Sequence, residues 1–334
     1  MASTNNEVWQ VGTVVETQHI ATDIQRIILE PSRPKKADPG SHLDVMVTIG
    51  GEERKRSYSV VESEPNGQRL AICVLKAPQS RGGSLFMHDL KVGDSLEITQ
   101  PLQDFPLRVG ARHYLLLAGG IGVTAIVNMA RVLKNLKANY TFVYAGRNRE
   151  AMAYLSDLQE LHGENLVVHV DDEGTSLRVE ELVDSAHMDT ELYMCGPIRL
   201  MDVVRRAWIE RELNFTNLRY ETFGNSGWYD PEEFLVRIPG LGVETKVGKD
   251  QSMLEALEAA GVEMMSDCRK GECGLCEVKI VELDGAIDHR DVFYSERQQQ
   301  ATKKICCCVS RAIPPKSGAS ASIGGLAVVT ISVS

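Results

Sequence analysis

Over residues 7–107 apolar and polar positions alternate or gather in short apolar blocks, a pattern that predicts strands. The segments VWQVGTVVET, IQRIILEPS, HLDVMVTIG, RSYSVVES and RLAICVLKA are rich in Val and Ile and are punctuated by Gly, Pro and Asp. Several such strands at close spacing, with LKVGDSLEITQP closing the block, indicate an antiparallel barrel or sandwich. From Arg112 the period changes. HYLLLAGG is the continuous apolar run of a buried parallel strand, and YTFVYAGR, NLVVHVDD and ELYMCGP read as three more. The helical patterns AIVNMARVLKNL, REAMAYLSDLQELH, RVEELVDS and RLMDVVRRAWIEREL lie between and after them. That alternation predicts a doubly wound parallel sheet. Residues 220–232, YETFGNSGWYDPE, read as an exposed linker. Beyond it EFLVRIPG and VETKVGK predict a hairpin, and SMLEALEAAG an amphipathic helix ended by Gly261. A cysteine-bearing loop, CEVKIVELDG, a charged turn and KKICCCVSRA follow, then KSGASASIGG, a flexible-linker composition, and LAVVTISVS, a last strand. This third region reads as a small mixed α/β domain.

Small and polar residues interrupt these elements at places suited to ligands. Arg56-Ser57-Tyr58-Ser59 opens a strand with a cation, an aromatic face and hydroxyls. Ser80-Arg81-Gly82-Gly83-Ser84 precedes SLFMHDL, a helix candidate, and would offer an anion backbone donors and a guanidinium. Taken alone, each reads rather as a surface turn. Gly119-Gly120-Ile121-Gly122-Val123-Thr124 joins a buried strand to a helix, the arrangement of a phosphate-binding βα unit, although its spacing is not G-x-G-x-x-G. Ligands of doubly wound sheets sit at the carboxyl ends of strands. Those ends here are 119–124, 146–148, Asp171-Asp172 and Cys195-Gly196-Pro197.

The densest chemistry lies in Asp267-Cys268-Arg269-Lys270-Gly271-Glu272-Cys273-Gly274-Leu275-Cys276, whose thiols are spaced C-x4-C-x2-C, with a further candidate in Cys306-Cys307-Cys308. This is the spacing of a plant-type [2Fe–2S] loop with a distant fourth cysteine. Zinc is the competing ion, but its usual sites pair cysteines two to four residues apart and close with a second pair or with histidines. A disulfide framework belongs to small secreted chains; eight cysteines among 334 residues is an ordinary number.

Composition narrows the classes. A formal net charge of −10 argues against nucleic acid as a partner. No apolar run reaches the length of a membrane span, and MASTNNEVWQ lacks the basic start and apolar core of a signal peptide. The free thiols then suggest a reducing cytoplasm. Residues 250–300 hold 12 acidic and 5 basic side chains, either a solvated face or a docking face for a basic partner.

In this order the motifs resemble the phthalate dioxygenase reductase family. The resemblance implies a multidomain chain: an antiparallel β-barrel flavin domain over 1–108, a doubly wound α/β nucleotide domain over 109–225, a linker over 226–232 and an α+β ferredoxin-like (β-grasp) domain over 233–334. It implies FMN against Arg56, Tyr58, Ser59 and Val60, with its phosphate on Arg81, Gly82, Gly83 and Ser84. It implies NADH at Gly120, Gly122 and Thr124 of the GGIG-x-T turn and at Cys195, Gly196 and Pro197. An E-x-F segment matches Glu221 and Phe223, the phenylalanine packing near the flavin. The cluster ligands carry over as Cys268, Cys273, Cys276 and Cys308, the last because it stands directly before Val309-Ser310-Arg311-Ala312. Arg290 fits the family's pattern without an assigned role. The implied activity is electron transfer from NADH through FMN and a [2Fe–2S] cluster to a terminal Rieske-type oxygenase or demethylase, with no acid–base catalytic residue. The alternatives are reduction of another acceptor, or a non-redox protein with structural zinc. Arg147 and Arg149 would favour NADPH and Asp171-Asp172 NADH; the family habit favours NADH.

Overall fold

The computed structural model describes residues 7–77, 82–223, 229, 231–314 and 325–333. The first architecture is a barrel of β1 (Trp9–Ala21), β2 (Ile24–Pro31), β3 (Ser41–Ile49), β4 (Glu52–Ser63), β5 (Leu70–Leu75), the short helix α1 (Gly83–His88), β6 (Ser95–Thr99) and β7 (Leu102–Gln103). The strand order is β4-β5-β2-β1-β6-β3-β7, and β3 also pairs with β4, so six antiparallel strands close on themselves and leave β7 as an addition. The alternation explains the closure. Leu43, Val45 and Val47 of β3 meet Val14, Ile27, Leu29, Val60, Ile72 and Ile98 in one apolar core.

A parallel sheet follows: β8 (His113–Gly119), α2 (Val123–Asn135), β9 (Tyr140–Gly146), α3 (Leu155–His162), β10 (Leu166–Val170), α4 (Val179–Asp184), β11 (Thr190–Cys195), α5 (Ile198–Glu210) and β12 (Leu218–Glu221). Its order, β10-β9-β8-β11-β12, is doubly wound, with the change of direction between β8 and β11.

Two expectations are corrected here. The segment expected as one helix from Arg149 to His162 is a 3-10 turn, Arg149–Ala151, and then α3. The break is at Tyr154, held at φ +60. Its hydroxyl lies 3.2 Å from Cys73 Sγ and donates to Glu62 Oε1 at 3.3 Å, so barrel contacts override the local helical period. The expected linker also starts too early: Tyr220 and Glu221 end β12, and Glu221 and Thr222 are buried.

The C-terminal region comprises β13 (Phe234–Ile238), β14 (Val243–Val247), α6 (Met253–Ala259), β15 (Glu277–Asp284), β16 (Ala286–Asp288), α7 (Glu296–Ala301), β17 (Lys304–Cys306), β18 (Arg311–Ile313) and β19 (Ala327–Ser332). The β13–β14 hairpin forms as the pattern predicts, and a Ser252/Glu255 capping box starts α6. The sheet runs β14-β13-β19-β15-β17. Its last strand in sequence is central, parallel to β13 and antiparallel to β15. This is the β-grasp arrangement expected. The chain forms two compact units, Met1–Gly196 with Val203–Glu221, and Pro197–Asp202 with Thr222–Ser334. Among the described residues no helix is long and apolar enough to cross a membrane.

One buried histidine ties stability of the first unit to pH. His162 Nδ1 is 2.7 Å from Tyr140 Oη, and its ring meets Tyr140 and Phe142 edge-on. Burial, then the charges of Lys134 and Arg131, lower its pKa from 6.5 to about 4. Folding therefore favours the neutral ring. That contribution is fully present above the unfolded value of about 6.5 and is lost as pH falls through the folded value. The melting temperature is expected to fall over this acid range and to fall less in H162Q, measured by calorimetry at matched ionic strength; identical pH profiles would show that His162 is not a determinant.

Candidate cofactor sites

The first candidate site starts on β4. Arg56, Tyr58 and Val60 share one side of the strand; Val60 is in the barrel core and Tyr58 packs against it, its hydroxyl pKa pushed up by burial. Gly83 closes on this strand and Gly82 on the neighbouring β3. Gly82 has φ +90, and a Cβ there would lie 2.5 Å from Ile49 Cγ2; one on Gly83 would lie 3.1 Å from Arg56 Nε. Two motifs far apart in sequence thus meet as backbone against a guanidinium. Ser84 Oγ accepts from the Ala77 N–H at 3.2 Å. Arg81 lies outside the described residues.

The second site forms where β8 and β11 end side by side. Gly120 has φ +53, a left-handed turn that suits glycine. A Cβ on Gly122 would fall 2.2 Å from the Cys195 carbonyl oxygen, and one on Gly196 3.0 Å from Gly119 Cα. The GGIG turn and the Cys195-Gly196 end are therefore packed backbone on backbone at the switch point of the sheet. Thr124 is buried and donates its hydroxyl to Ile121 O at 2.9 Å, holding the turn. Cys195 is fully buried; Pro197 is exposed just before α5.

The structure joins these two sites. α2, which leaves the GGIG turn, lies on β4: Asn128 Nδ2 donates to Val60 O at 3.0 Å and Arg131 Nη1 to Val61 O at 3.2 Å. Glu221, in register with Cys195 across β11–β12, accepts from Ser59 Oγ at 3.4 Å. Asn128 and Arg131 were missed by sequence reasoning, since nothing local marks a helix side chain that caps a distant strand. Phe223 is half-buried beyond the end of β12.

The third site is the cysteine loop. All eight cysteines carry free thiols. Cys268 Sγ accepts backbone N–H bonds from Lys270, Glu272 and Cys273, each at 3.4 Å. The bends that allow this rest on Gly271 (φ +79) and Gly274 (φ +75). A Cβ on Gly271 would press 2.6 Å from Val309 Cγ2, and one on Gly274 2.2 Å from the Phe293 ring. The Cys308 thiol contacts both Cys268 and Cys276, while Cys306 faces Cys276 and Tyr294. Cys307 is fully buried and uses its backbone, donating to Cys276 O at 3.2 Å. Among the described residues no three His, Cys, Asp or Glu side chains close round one point as ligands of a single ion would; the thiol contacts are pairwise. Contact with Cys308, followed by the three N–H donors, lowers the Cys268 pKa to about 5, and contacts with Cys306 and Cys308 lower Cys276 to about 3. Cys308 is pushed up in return, by Cys268 and Cys276. A loop of thiols with amide donors aimed at sulfur suits an iron–sulfur cluster.

Some of the acidic side chains around this loop are paired within the molecule, while Glu263 and Asp267 are exposed. Glu258 pairs with Arg269, Glu277 with Lys304 and Asp288 with Arg290. Arg290 also donates to Tyr229 O at 2.8 Å, and Arg311 donates to the carbonyls of Glu232, Gly248 and Gln251. Glu272 accepts from the N–H and hydroxyl of Thr222. At the surface of the loop stand Cys273 and the apolar Leu275 and Phe293.

Family models match in three blocks: "Oxidoreductase FAD-binding domain" over residues 12–106, "Dimethylamine monooxygenase subunit DmmA-like, N-terminal domain" over 100–217, and "2Fe-2S iron-sulfur cluster binding domain" over 236–312. The last decides the loop for an iron–sulfur cluster over zinc. The carnitine monooxygenase reductase subunit of Acinetobacter pittii (strain PHEA-2) is 32% identical over 274 residues, covering 82% of this chain and 88% of its own. The crystal structure of phthalate dioxygenase reductase, described as modular for electron transfer from pyridine nucleotides to [2Fe–2S], is 27% identical with a TM-score of 0.71, covering 98% of both chains. An intact type IV self-sufficient cytochrome P450 monooxygenase is 32% identical with a TM-score of 0.64 over 97% of this chain, which spans only 41% of that longer protein. With its closed flavin-binding barrel, its parallel nucleotide sheet and its [2Fe–2S] domain, the chain belongs to the phthalate dioxygenase reductase family, the oxidoreductases that serve as reductase subunits of oxygenase systems.

Proposed function

We propose that this chain takes hydride from NADH and delivers single electrons to a Rieske-type oxygenase or demethylase, through FMN and a [2Fe–2S] cluster. The observation that carries this is the meeting of the Arg56–Val60 stretch with the GGIG and Cys195 strand ends through Asn128, Arg131 and the Ser59–Glu221 bond. It puts a flavin motif and a nucleotide motif on neighbouring elements. In this reading the functional domains are 1–108, 109–225 and 233–334, with 226–232 between them, and the protein works in the cytoplasm, where thiols stay reduced. Bound flavin would supply the exchange between a hydride and single electrons, and the cluster a one-electron carrier.

The protein's part is to hold and orient. Arg56, Tyr58, Ser59 and Val60 would hold the flavin ring, Gly82, Gly83 and Ser84, with Arg81, would take its phosphate, and Phe223 would help hold the ring. Gly120, Gly122 and Thr124 admit the nucleotide, with Cys195, Gly196 and Pro197 beside the nicotinamide. Arg149 gives both faces of its fork to Glu173, Nε to Oε1 at 2.6 Å and Nη2 to Oε2 at 2.8 Å, so it is not presented to a second phosphate. With Asp171 and Asp172 exposed beside it, this strand end favours NADH over NADPH. Cys268, Cys273, Cys276 and Cys308 hold the cluster; Cys308 is preferred because it reaches two of the other three. The exposed Leu275 and Phe293 beside Cys273 suit an apolar contact with the oxygenase better than a purely ionic one. A second reading, a heme oxygenase as acceptor, is favoured by the similarity to the self-sufficient cytochrome P450.

Anaerobic NADH is expected to bleach both flavin and cluster absorption, NADPH doing so more slowly, and the reduced protein to be reoxidised by a Rieske oxygenase. Lack of either band in protein from iron- and flavin-replete cells would overturn the reading; reoxidation by a heme oxygenase alone would select the second. G122A must shift one strand end, and kcat/KM for NADH is expected to drop by about tenfold to a hundredfold, with flavin content unchanged; wild-type kinetics would show that the close approach is not needed. C308S is expected to lose cluster iron and labile sulfide while C307S keeps both, and the reverse result would reassign the fourth ligand.

A further inference from the structure

One carboxylate behind the cysteine loop is buried and has no part in the site described above. Asp291 is 1% exposed. Its backbone packs on Gly271, where an added Cβ would lie 2.9 Å from Asp291 Cα, and the next residue, Val292, donates its N–H to Gly271 O at 3.0 Å. Gly271 stands between Lys270 and Glu272, whose N–H groups both donate to Cys268 Sγ. The carboxylate itself is fixed by its hydrogen bonds. Oδ2 accepts the Tyr294 N–H at 3.0 Å and Oδ1 the Ser310 hydroxyl at 2.9 Å, with His289 Nδ1 3.2 Å from the same oxygen. Ser310 follows Cys308 by two residues, donates its N–H to Cys306 O at 3.1 Å and accepts the Arg290 N–H at 3.1 Å. The guanidinium of Arg290 goes to Asp288 and to the Tyr229 carbonyl, not to Asp291. Nε2 of His289 is buried and meets no partner among the described residues. Asp291 is therefore held by a hydroxyl, a main-chain N–H and an imidazole, and joins the bend at Gly271 to the chain just after Cys308.

We infer that Asp291 is the fixed charge that keeps the reduction potential of the cluster low. Reduction adds an electron to a group already held by cysteine thiolates, and a buried carboxylate behind the loop opposes that electron in a medium of low dielectric. Asp291 ligates nothing; it acts from a position that Gly271 and Ser310 set. This rests on the ligands proposed above, Cys268, Cys273, Cys276 and Cys308. A purely structural role needs the acceptor oxygens, whereas a role in the potential needs the charge. D291N keeps an acceptor for the Tyr294 N–H and removes the charge. D291E keeps the charge. S310A keeps the charge and removes one donor to it.

The test is an anaerobic redox titration of the full chain, with the cluster followed by electron paramagnetic resonance, the flavin by absorption, and iron and labile sulfide measured alongside. D291N is expected to shift the cluster midpoint upward, with the flavin midpoint and the iron content at wild-type values. D291E should stay near the wild-type midpoint. S310A should leave the midpoint unchanged or move it downward, since the charge then has one donor fewer to offset it. A wild-type or lowered midpoint in D291N would overturn the inference. So would an upward shift in S310A as large as that in D291N, which would mean that loop geometry and not charge sets the potential, and so would loss of iron from D291N, which would mean that Asp291 builds the loop. Wild-type protein with no [2Fe–2S] signal after reduction would overturn the ligand set, and this inference with it.

Discussion

The close approach of β8 and β11 is the constraint on which the first unit depends. Their carboxyl ends touch backbone to backbone, Gly122 on Cys195 at a distance no side chain tolerates and Gly196 on Gly119 at a tight one. That contact sets the direction in which α2 leaves the turn. The direction of α2 in turn places Asn128 and Arg131 on the carbonyls of Val60 and Val61. A sheet and a barrel that would each fold on their own period are thereby locked into one unit by bonds to main-chain acceptors of β4 beside its register shift between Val60 and Glu62. A second set of bonds, from Arg26 through Glu62 to Tyr154, reinforces the same junction, with Cys73 beside it.

What could be read in the sequence was local. The period of 2 in 7–107, the apolar run before GGIG, and the C-x4-C-x2-C spacing each report a short-range demand, and each appears in the structure as strands closing a barrel, a parallel strand at a switch point, and a loop of thiols. The choice of Cys308 over its neighbours was a matter of matching a segment; the structure adds that it touches two loop thiols. What could not be read was set by partners far away in the chain. Tyr154 breaks a well-patterned helix because Cys73 and Glu62 hold its hydroxyl. Glu221 and Thr222 look like the start of a polar linker, yet they are buried: Glu221 pairs with β11 and accepts from Ser59 Oγ, and Thr222 donates to Glu272.

Charge was the least transferable signal. A net excess of acid over 250–300 suggests an electrostatic face, but helix capping, ion pairs and backbone donors consume many of those carboxylates. The composition of a segment counts charges without regard to which of them reach solvent. The loop presents a thiol, two apolar side chains and the charged Asp267 and Arg269 at its surface.

The position of β19 has a consequence for how the molecule is made. It is the last strand of its sheet in sequence and the middle one in space, bonded to β13 on one side and β15 on the other. During synthesis the cysteine loop therefore leaves the ribosome before the strand that completes the sheet under it. Until that strand inserts, β13 and β15 have open edges and the thiols have no finished scaffold. Acquisition of iron and sulfide by this domain is then a late event, and a chain cut short before residue 327 would carry every cysteine and still lack the fold that holds them.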